Sequence, residues 1–356
     1  MPDDGYDGLS KVTVNYDMGL YEYMDEGLRN FYNYGVINRI QYADHEEVNF
    51  SVSDGSITSL TIPEGVGISN YNLTNCSNLK TLIVNGSLAY GGWALRGCNS
   101  LQTLITTGPI KRLGELFGTI SFEGGVAVSQ AVSHNSYKTF YIPESLRSVT
   151  CSSASYHGFE SCNMLTDVTL TDAGSIAESL FRGCKNLESV VIHGSPTHIG
   201  MRAFSGCQKL KYIILPDTIT EIGTNSYEGN GFNGYGDVFN GCKSLVSIVI
   251  PDSVTHIYGN NTFSNCDKLV NVKLPDNIQT GTVDFRNCPK LTHIIIPPNM
   301  TVYRTVSGGD GSVQSAFDNC TNLKDIYVSW SEDDDKVKSA PWGAENATVH
   351  YNWVFE

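Results

Sequence analysis

The chain has 356 residues, of which 40% are hydrophobic and only 17% charged, a globular composition that excludes a disordered polymer. Its 37 acidic against 23 basic residues leave a net charge of −14, and no basic patch stands out, which argues against a nucleic-acid surface and an anionic-membrane anchor. No apolar run approaches the roughly 18 residues of a membrane-spanning helix, so no membrane insertion is expected.

Residues 1–53 do not repeat. They begin Met-Pro-Asp-Asp-Gly-Tyr-Asp, without a basic region or an apolar core, so the expected location is extracellular or cell-surface if a leader has been removed, and otherwise a virion. Val12 and Val14 alternate as in a strand. Leu20, Tyr23, Met24, Gly27, Leu28, Phe31 and Tyr32 share one face of an amphipathic helix. Glu22, Asp25 and Glu26 stand early in that helix, Arg29 late, and Gly35 ends it. Val48, Phe50 and Val52 read as a further strand. The segment is expected to cap the first rung of a repeat array, or to serve attachment or homo-oligomerisation.

A repeat occupies residues 54–328. Cys207 is followed at fixed offsets by Leu210, Ile213 and Leu215. The same Cys-x-x-Leu-x-x-apolar-x-apolar string starts at Cys76, Cys98, Cys162, Cys184, Cys242, Cys266, Cys288 and Cys320, with Thr106 as one lapse. Degenerate copies start at Asp54 (Ile57, Leu60, Ile62) and His134 (Tyr137, Phe140, Ile142), making eleven in all. Uninterrupted copies lie 22 to 24 residues apart, a period that means a solenoid of stacked rungs.

Within a rung such as Leu210–Leu215 the spacing predicts a strand with Ile213 and Leu215 inward and Tyr212 and Ile214 outward. Proline follows in six copies and ends the strand. On the return side, Ile199–Phe204 reads Ile-Gly-x-x-Ala-Phe, where the glycine is expected to permit a tight bend and the phenylalanine to fill the core beside the cysteine. Nine of the ten cysteines share one repeat position, so stacking sets them in a buried column of free thiols. Rungs about 4.7–4.9 Å apart do not converge Cβ atoms to the roughly 3.5–4.5 Å of a disulfide. Cys151, outside the repeat, is the candidate reactive thiol. No Cys-x-x-Cys pair suggests zinc.

Of the eleven residues in one outward strand column, eight are apolar or aromatic: Ile83, Ile105, Tyr141, Val191, Ile214, Val249, Ile295 and Tyr327. Such a stripe is a candidate interaction site, although β-branched and aromatic residues suit any sheet surface. Insertions at 118–133, 224–237 and 303–314 break the period. The last two fall at equivalent positions three rungs apart, with roots about 15 Å from each other on one edge. Tyr227, Phe232, Tyr235, Tyr303 and Arg304 are their contact-type residues.

His198, Glu221 and His256 share an outward position on consecutive rungs. Their spacing follows rung height instead of ligand geometry, so a solvated face is expected, with no metal and no cofactor. The acidic run 332–335 reads as solvated. Ser307–Gly311 lacks the Gly-Lys-Ser/Thr end of a phosphate loop. No Ser/His/Asp or Cys/His arrangement is supported, and no catalysis is expected.

From Ser329 the repeat stops, and 329–356 is expected to be a C-terminal cap. Ala347, Val349 and Tyr351 alternate as a final strand over the open sheet edge. Trp330, Trp342 and Trp353 suit a hydrophobic plug beneath the last rung.

The string Ile199-Gly200, Ala203-Phe204, Cys207, Leu210, Ile213, Leu215 and Pro216, with equivalents throughout about 54–328, resembles the BspA-like leucine-rich repeat family. The resemblance implies a right-handed, mostly β leucine-rich repeat solenoid with short irregular or helical return segments. It also implies a non-enzymatic recognition or adhesion protein, binding a protein or glycan on a host or neighbouring cell through the sheet face and edge loops. The alternative is a structural or receptor-binding component of a phage or prophage virion.

Overall fold

The structure, a computed structural model, describes residues 39–43, 47–51, 55–62, 66–67, 73–88, 93–117, 129–134, 138–224, 236–306 and 313–354. The helix expected over 20–32 and the strand at Val12–Val14 lie outside these residues. The chain is a parallel β-solenoid of about eleven turns with little helix among the described residues. It divides into two compact units, Met1–Asp172 and Ala173–Glu356.

In the first unit, apolar residues at every second position face inward, and the strands Ser59–Ile62, Thr81–Val84 and Thr103–Thr106 each show the resulting half-buried, buried alternation. They stack parallel with Leu60, Leu82 and Leu104 in register. The next rung is Ser148–Cys151, followed by Asp167–Ala173. This corrects the expected frame. The copy at His134 does not join the ladder; its strand Lys138–Pro143 pairs antiparallel with Ser129–His134. Both frames carry the same apolar spacing, because Leu146, Val149 and Cys151 repeat the pattern of Leu101, Leu104 and Thr106. The stack takes only one, and the other satisfies its backbone groups in a hairpin. Tyr141 is therefore in the hairpin, and Thr150 holds the column position beside Ile105. Cys151 is not outside the repeat but on a rung, opposite Leu170 and fully buried. The strand expected around Val48–Val52 occurs as Glu47–Ser51, antiparallel to Arg39–Ala43 and parallel to Val66–Gly67.

The second unit has strands on two faces. On one, His198–Ile199, Glu221–Ile222, His256–Ile257, Thr280–Val283 and Met300–Val302 run parallel in order. On the other, Ser247–Val249 pairs with Asn271–Lys273, and His293–Ile296 pairs with Asp325–Val328, which pairs with Thr348–His350. The last of these is the expected closing strand. Leu210–Leu215 departs from expectation. Its side chains alternate as read, with Ile213 and Leu215 buried and Tyr212 exposed, but it forms no ladder with the described residues. Lys209 N donates to Lys185 O and Val246 N to Lys211 O, while no backbone hydrogen bond from the described residues reaches Tyr212–Leu215.

The core of this unit is a set of columns. Phe181, Phe204, Phe239, Phe263, Phe285 and Phe317 stack at centroid distances of 5.1–6.2 Å with ring planes within 20° of parallel. Trp342 closes the column edge-on at 6.5 Å, and Trp330 packs against Trp342. Five cysteine thiols donate to the carbonyl of the phenylalanine one rung back: Cys207 to Phe181, Cys242 to Phe204, Cys266 to Phe239, Cys288 to Phe263 and Cys320 to Phe285, at 3.0–3.3 Å. The thiol thus adds a hydrogen bond to a buried carbonyl, and those of Phe181, Phe204 and Phe239 also accept the backbone N–H of Cys184, Cys207 and Cys242.

The residue before each cysteine of the Cys-x-x-Leu string has positive φ, between 60° and 81°. These residues are Asn75, Gly97, Ser161, Gly183, Gly206, Gly241, Asn265, Asn287 and Asn319, mostly types that tolerate the left-handed region. Where asparagine fills the site in the last three rungs its amide is also used. Asn319 Nδ2 donates to Asn287, Asn287 to Asn265, and Asn265 to Asn240, at 2.6–2.8 Å, and Asn240 donates to Asp237. Gly200 has a different reason from the expected bend. Its φ is not positive, but a Cβ would lie 2.5 Å from the Glu178 nitrogen, so only glycine lets the two rungs approach.

Candidate functional site

The outward column can be followed residue by residue. In the first unit Ile83 and Ile105 are half-buried. In the second, Ile214 is 85% exposed, Val249 59%, Val191 41% and Ile295 39%. Ile214 stands on a segment that pairs with no strand among the described residues. Tyr327 is covered by the tail: its ring stacks on His350 at 4.4 Å and meets Trp353 at 4.5 Å. His350 Nε2 also lies 2.8 Å from Asp325 Oδ1, which anchors the tail to the adjoining strand. Trp353 is consequently outside the plug formed by Trp330 and Trp342, and remains 42% exposed.

The tail and the sheet enclose a groove of about 970 Å³. Its floor comes from Ser247–Val249, Asn271–Leu274, Asp276, His293, Ile295 and Pro297, and its wall from Tyr351–Val354. The fold explains the mixture of floor residues. Val249 and Ile295 belong to the apolar outward column, whereas Ser247, Asn271 and His293 belong to the polar column beside it. One charged cluster stands on the groove. Lys273 Nζ lies 2.9 Å from Asp252 and 3.9 Å from Asp276. The hydrogen bond from Lys273 holds the Asp252 carboxyl below its ordinary range and raises the lysine in return.

Of the edge-loop residues, Tyr227, Phe232 and Tyr235 lie outside the described residues. Arg304 is exposed on a hairpin of Arg304–Val306 and Val313–Ser315. Tyr303 is engaged internally. The Arg286 guanidinium lies 4.5 Å over its ring and pairs with the fully buried Asp284 at 3.0 Å. Asp284 also accepts from Asn261 N at 3.0 Å and Ser264 Oγ at 2.9 Å, so this charge is fully bonded and structural.

The register does bring His198, Glu221 and His256 side by side. His198 Nδ1 is 3.6 Å from Glu221, while His256 turns to Thr255 Oγ1 at 2.8 Å and stacks on Tyr258. Burial lowers the His198 pKa despite the carboxylate beside it. Among the described residues no group of three or more His, Cys, Asp or Glu is placed to hold a metal ion. All ten cysteines are buried and unbridged, and burial pushes the Cys151, Cys242 and Cys320 thiols up to about 12. A nucleophile needs exposure and a lowered pKa, and these thiols have neither. His157 and Glu160 form a buried pair at 2.6 Å under Tyr156, within the first unit. The described outward face presents apolar side chains, hydrogen-bonding groups, the Lys273 cluster and an aromatic wall.

No helix among the described residues is long and apolar enough to cross a membrane. The family described as "BspA type Leucine rich repeat region (6 copies)" matches residues 41–123, 126–233 and 235–333. Similar solved structures include a leucine-rich repeat protein of T. pallidum, 22% identical, with 58% of this chain and 84% of that one covered and a TM-score of 0.35. A leucine-rich cell surface protein of Faecalibacterium prausnitzii is 20% identical over 88% of this chain and 93% of its own, with a TM-score of 0.35. A leucine-rich repeat protein of Bacteroides ovatus is 17% identical over 88% and 97%, with a TM-score of 0.32. No curated protein matches the chain. The matched segments span well over half of the sequence, and the chain belongs to the BspA-type leucine-rich repeat family.

Proposed function

We propose that this protein is a non-enzymatic recognition protein, acting at a cell surface, that binds its partner through the outward face of residues 173–354. The observation that carries this reading is the exposed apolar column of Val191, Ile214, Val249 and Ile295. Apolar side chains that the fold itself leaves uncovered gain free energy when a partner excludes water from them. The hairpin edge at Arg304 offers a flanking polar contact. Membership of the BspA-type family supports the surface location.

The test is retention of the labelled chain on arrays of immobilised extracellular-matrix proteins and glycans, repeated with Ile214→Asp and Val249→Asp. Both positions are exposed, so the substitutions leave folding intact, and circular dichroism verifies this. Retention reduced about tenfold, corresponding to about 1.4 kcal/mol, is expected. Unchanged retention in both variants, or no retention on any array, overturns the reading.

A further inference from the structure

We infer that the groove between the sheet floor and the C-terminal tail is a binding site for a neutral oligosaccharide. The groove lies on the face assigned to recognition, so the sugar site rests on that reading and names the ligand class for one part of it. At about 970 Å³ the groove has the capacity of a small-ligand site.

Three features of its lining select the ligand. The first is an aromatic wall. Trp353 lines the groove, is held at one side by Tyr327 and keeps much of its surface exposed. An indole supplies a flat apolar platform for the C–H face of a sugar ring, together with an N–H donor. The second is a set of uncharged polar side chains not engaged within the fold. Ser247 and Asn271 on the floor and Asn352 on the wall make no side-chain hydrogen bond to the described residues. Hydroxyl and amide groups both donate and accept, which matches the mixed demand of sugar hydroxyls. His293 adds a ring nitrogen, because its Nδ1 is engaged with Thr292 Oγ1 at 3.1 Å and its Nε2 meets no partner among the described residues.

The third feature is charge. Lys273, the one lysine or arginine among the described residues lining the groove, is committed to Asp252 and Asp276 and is not left to receive an acidic ligand. The chain as a whole carries −14, which repels sialylated or sulfated chains. A neutral sugar meets no such penalty.

The test applies the full chain to an array of free neutral and acidic oligosaccharides, with titration calorimetry on the ligands retained. Neutral oligosaccharides are expected to bind, with Trp353→Ala and Asn271→Ala each weakening binding about tenfold. Trp353 also packs on Tyr327, so Asn271→Ala, which removes no side-chain hydrogen bond of the described fold, separates binding from folding. The inference is overturned if no neutral oligosaccharide binds, if acidic ones bind in preference, or if both groove variants bind as the wild type does. Any of these outcomes, with partner retention still sensitive to Ile214→Asp, removes the sugar site while leaving the wider recognition reading in place.

Discussion

Replacing Gly206 with alanine isolates the conformational cost of the residue that precedes each repeat cysteine. Gly206 has φ of +75°, and an added Cβ would meet the Gly183 Cα at 3.5 Å, an ordinary contact. Nothing has to move, so the cost is that of the left-handed region, about 1–2 kcal/mol, less whatever the alanine removes from unfolded-chain entropy. A loss of about 1 kcal/mol is expected. Gly206→Asn should cost less than half of that, because Asn265, Asn287 and Asn319 hold the same position at φ of 60–63°. Gly200→Ala supplies the contrast. Its φ is unremarkable for an L residue, but its Cβ would press on backbone atoms of Glu178 at 2.5 and 2.7 Å. Overpacking against backbone costs about 1–3 kcal/mol, so this variant should be the least stable of the three. Urea unfolding of the full chain, followed by far-ultraviolet circular dichroism, gives the ranking. Equal losses for Gly206→Ala and Gly206→Asn, or a Gly200→Ala variant milder than Gly206→Ala, would refute this division between conformational and steric cost.

Phe204→Ala opens the aromatic column between Phe181 and Phe239, each 5.3 Å away, and should cost about 3–5 kcal/mol in urea unfolding. Hydrogen exchange should then show lost protection spreading to both adjacent rungs, and protection lost in that rung alone would contradict the stacked-column account. Asp284→Ala leaves Arg286 half-sheltered without its carboxylate and should cost about 3–5 kcal/mol, whereas Asp252→Ala at the exposed Lys273 pair should cost about 0–1 kcal/mol. Similar losses for the two in thermal or urea melts would show that the buried pair is no better held than the surface one. Burial pushes the Cys151 thiol from 9.0 to about 12, so the neutral form is favoured in the fold. That stabilisation is fully present below pH 9 and is lost as pH rises from 9 toward 12, when the unfolded thiol ionises first. The slope of stability against pH in that window should be shallower in Cys151→Ala by about 1.4 kcal/mol per unit, and identical slopes would contradict the assignment.

Whatever depends on local spacing was legible in the sequence. The offsets from Cys207 to Leu210, Ile213 and Leu215 put the right side chains inside, even at Leu210–Leu215 where the backbone forms no ladder with the described residues. The left-handed turn was also written there, as Gly, Asn or Ser before each repeat cysteine, a regularity that needs only the repeats laid side by side. Pairing at a distance was not legible. The frames at His134 and Pro143 satisfy the same local pattern, and the choice between them is made by the edge of Thr103–Thr106. The groove was hidden for the same reason. Its floor was visible as two outward columns, but its wall comes from Tyr351–Val354, far along the chain, and turns Trp353 from an expected core residue into an exposed aromatic surface.

The asparagine chain from Asn319 to Asp237 has a direction: every amide donates toward the same end, and a carboxylate accepts the last hydrogen bond. A duplicated turn inserted between Asn265 and Asn287 finds an acceptor on one side and a donor on the other, and its phenylalanine and thiol meet the partners they had before. Such a chain is a molecular ruler, free to change length in steps of about 4.8 Å without inventing a new contact. Copy number is then an evolvable trait, separable from the ligand chosen at the C-terminal groove.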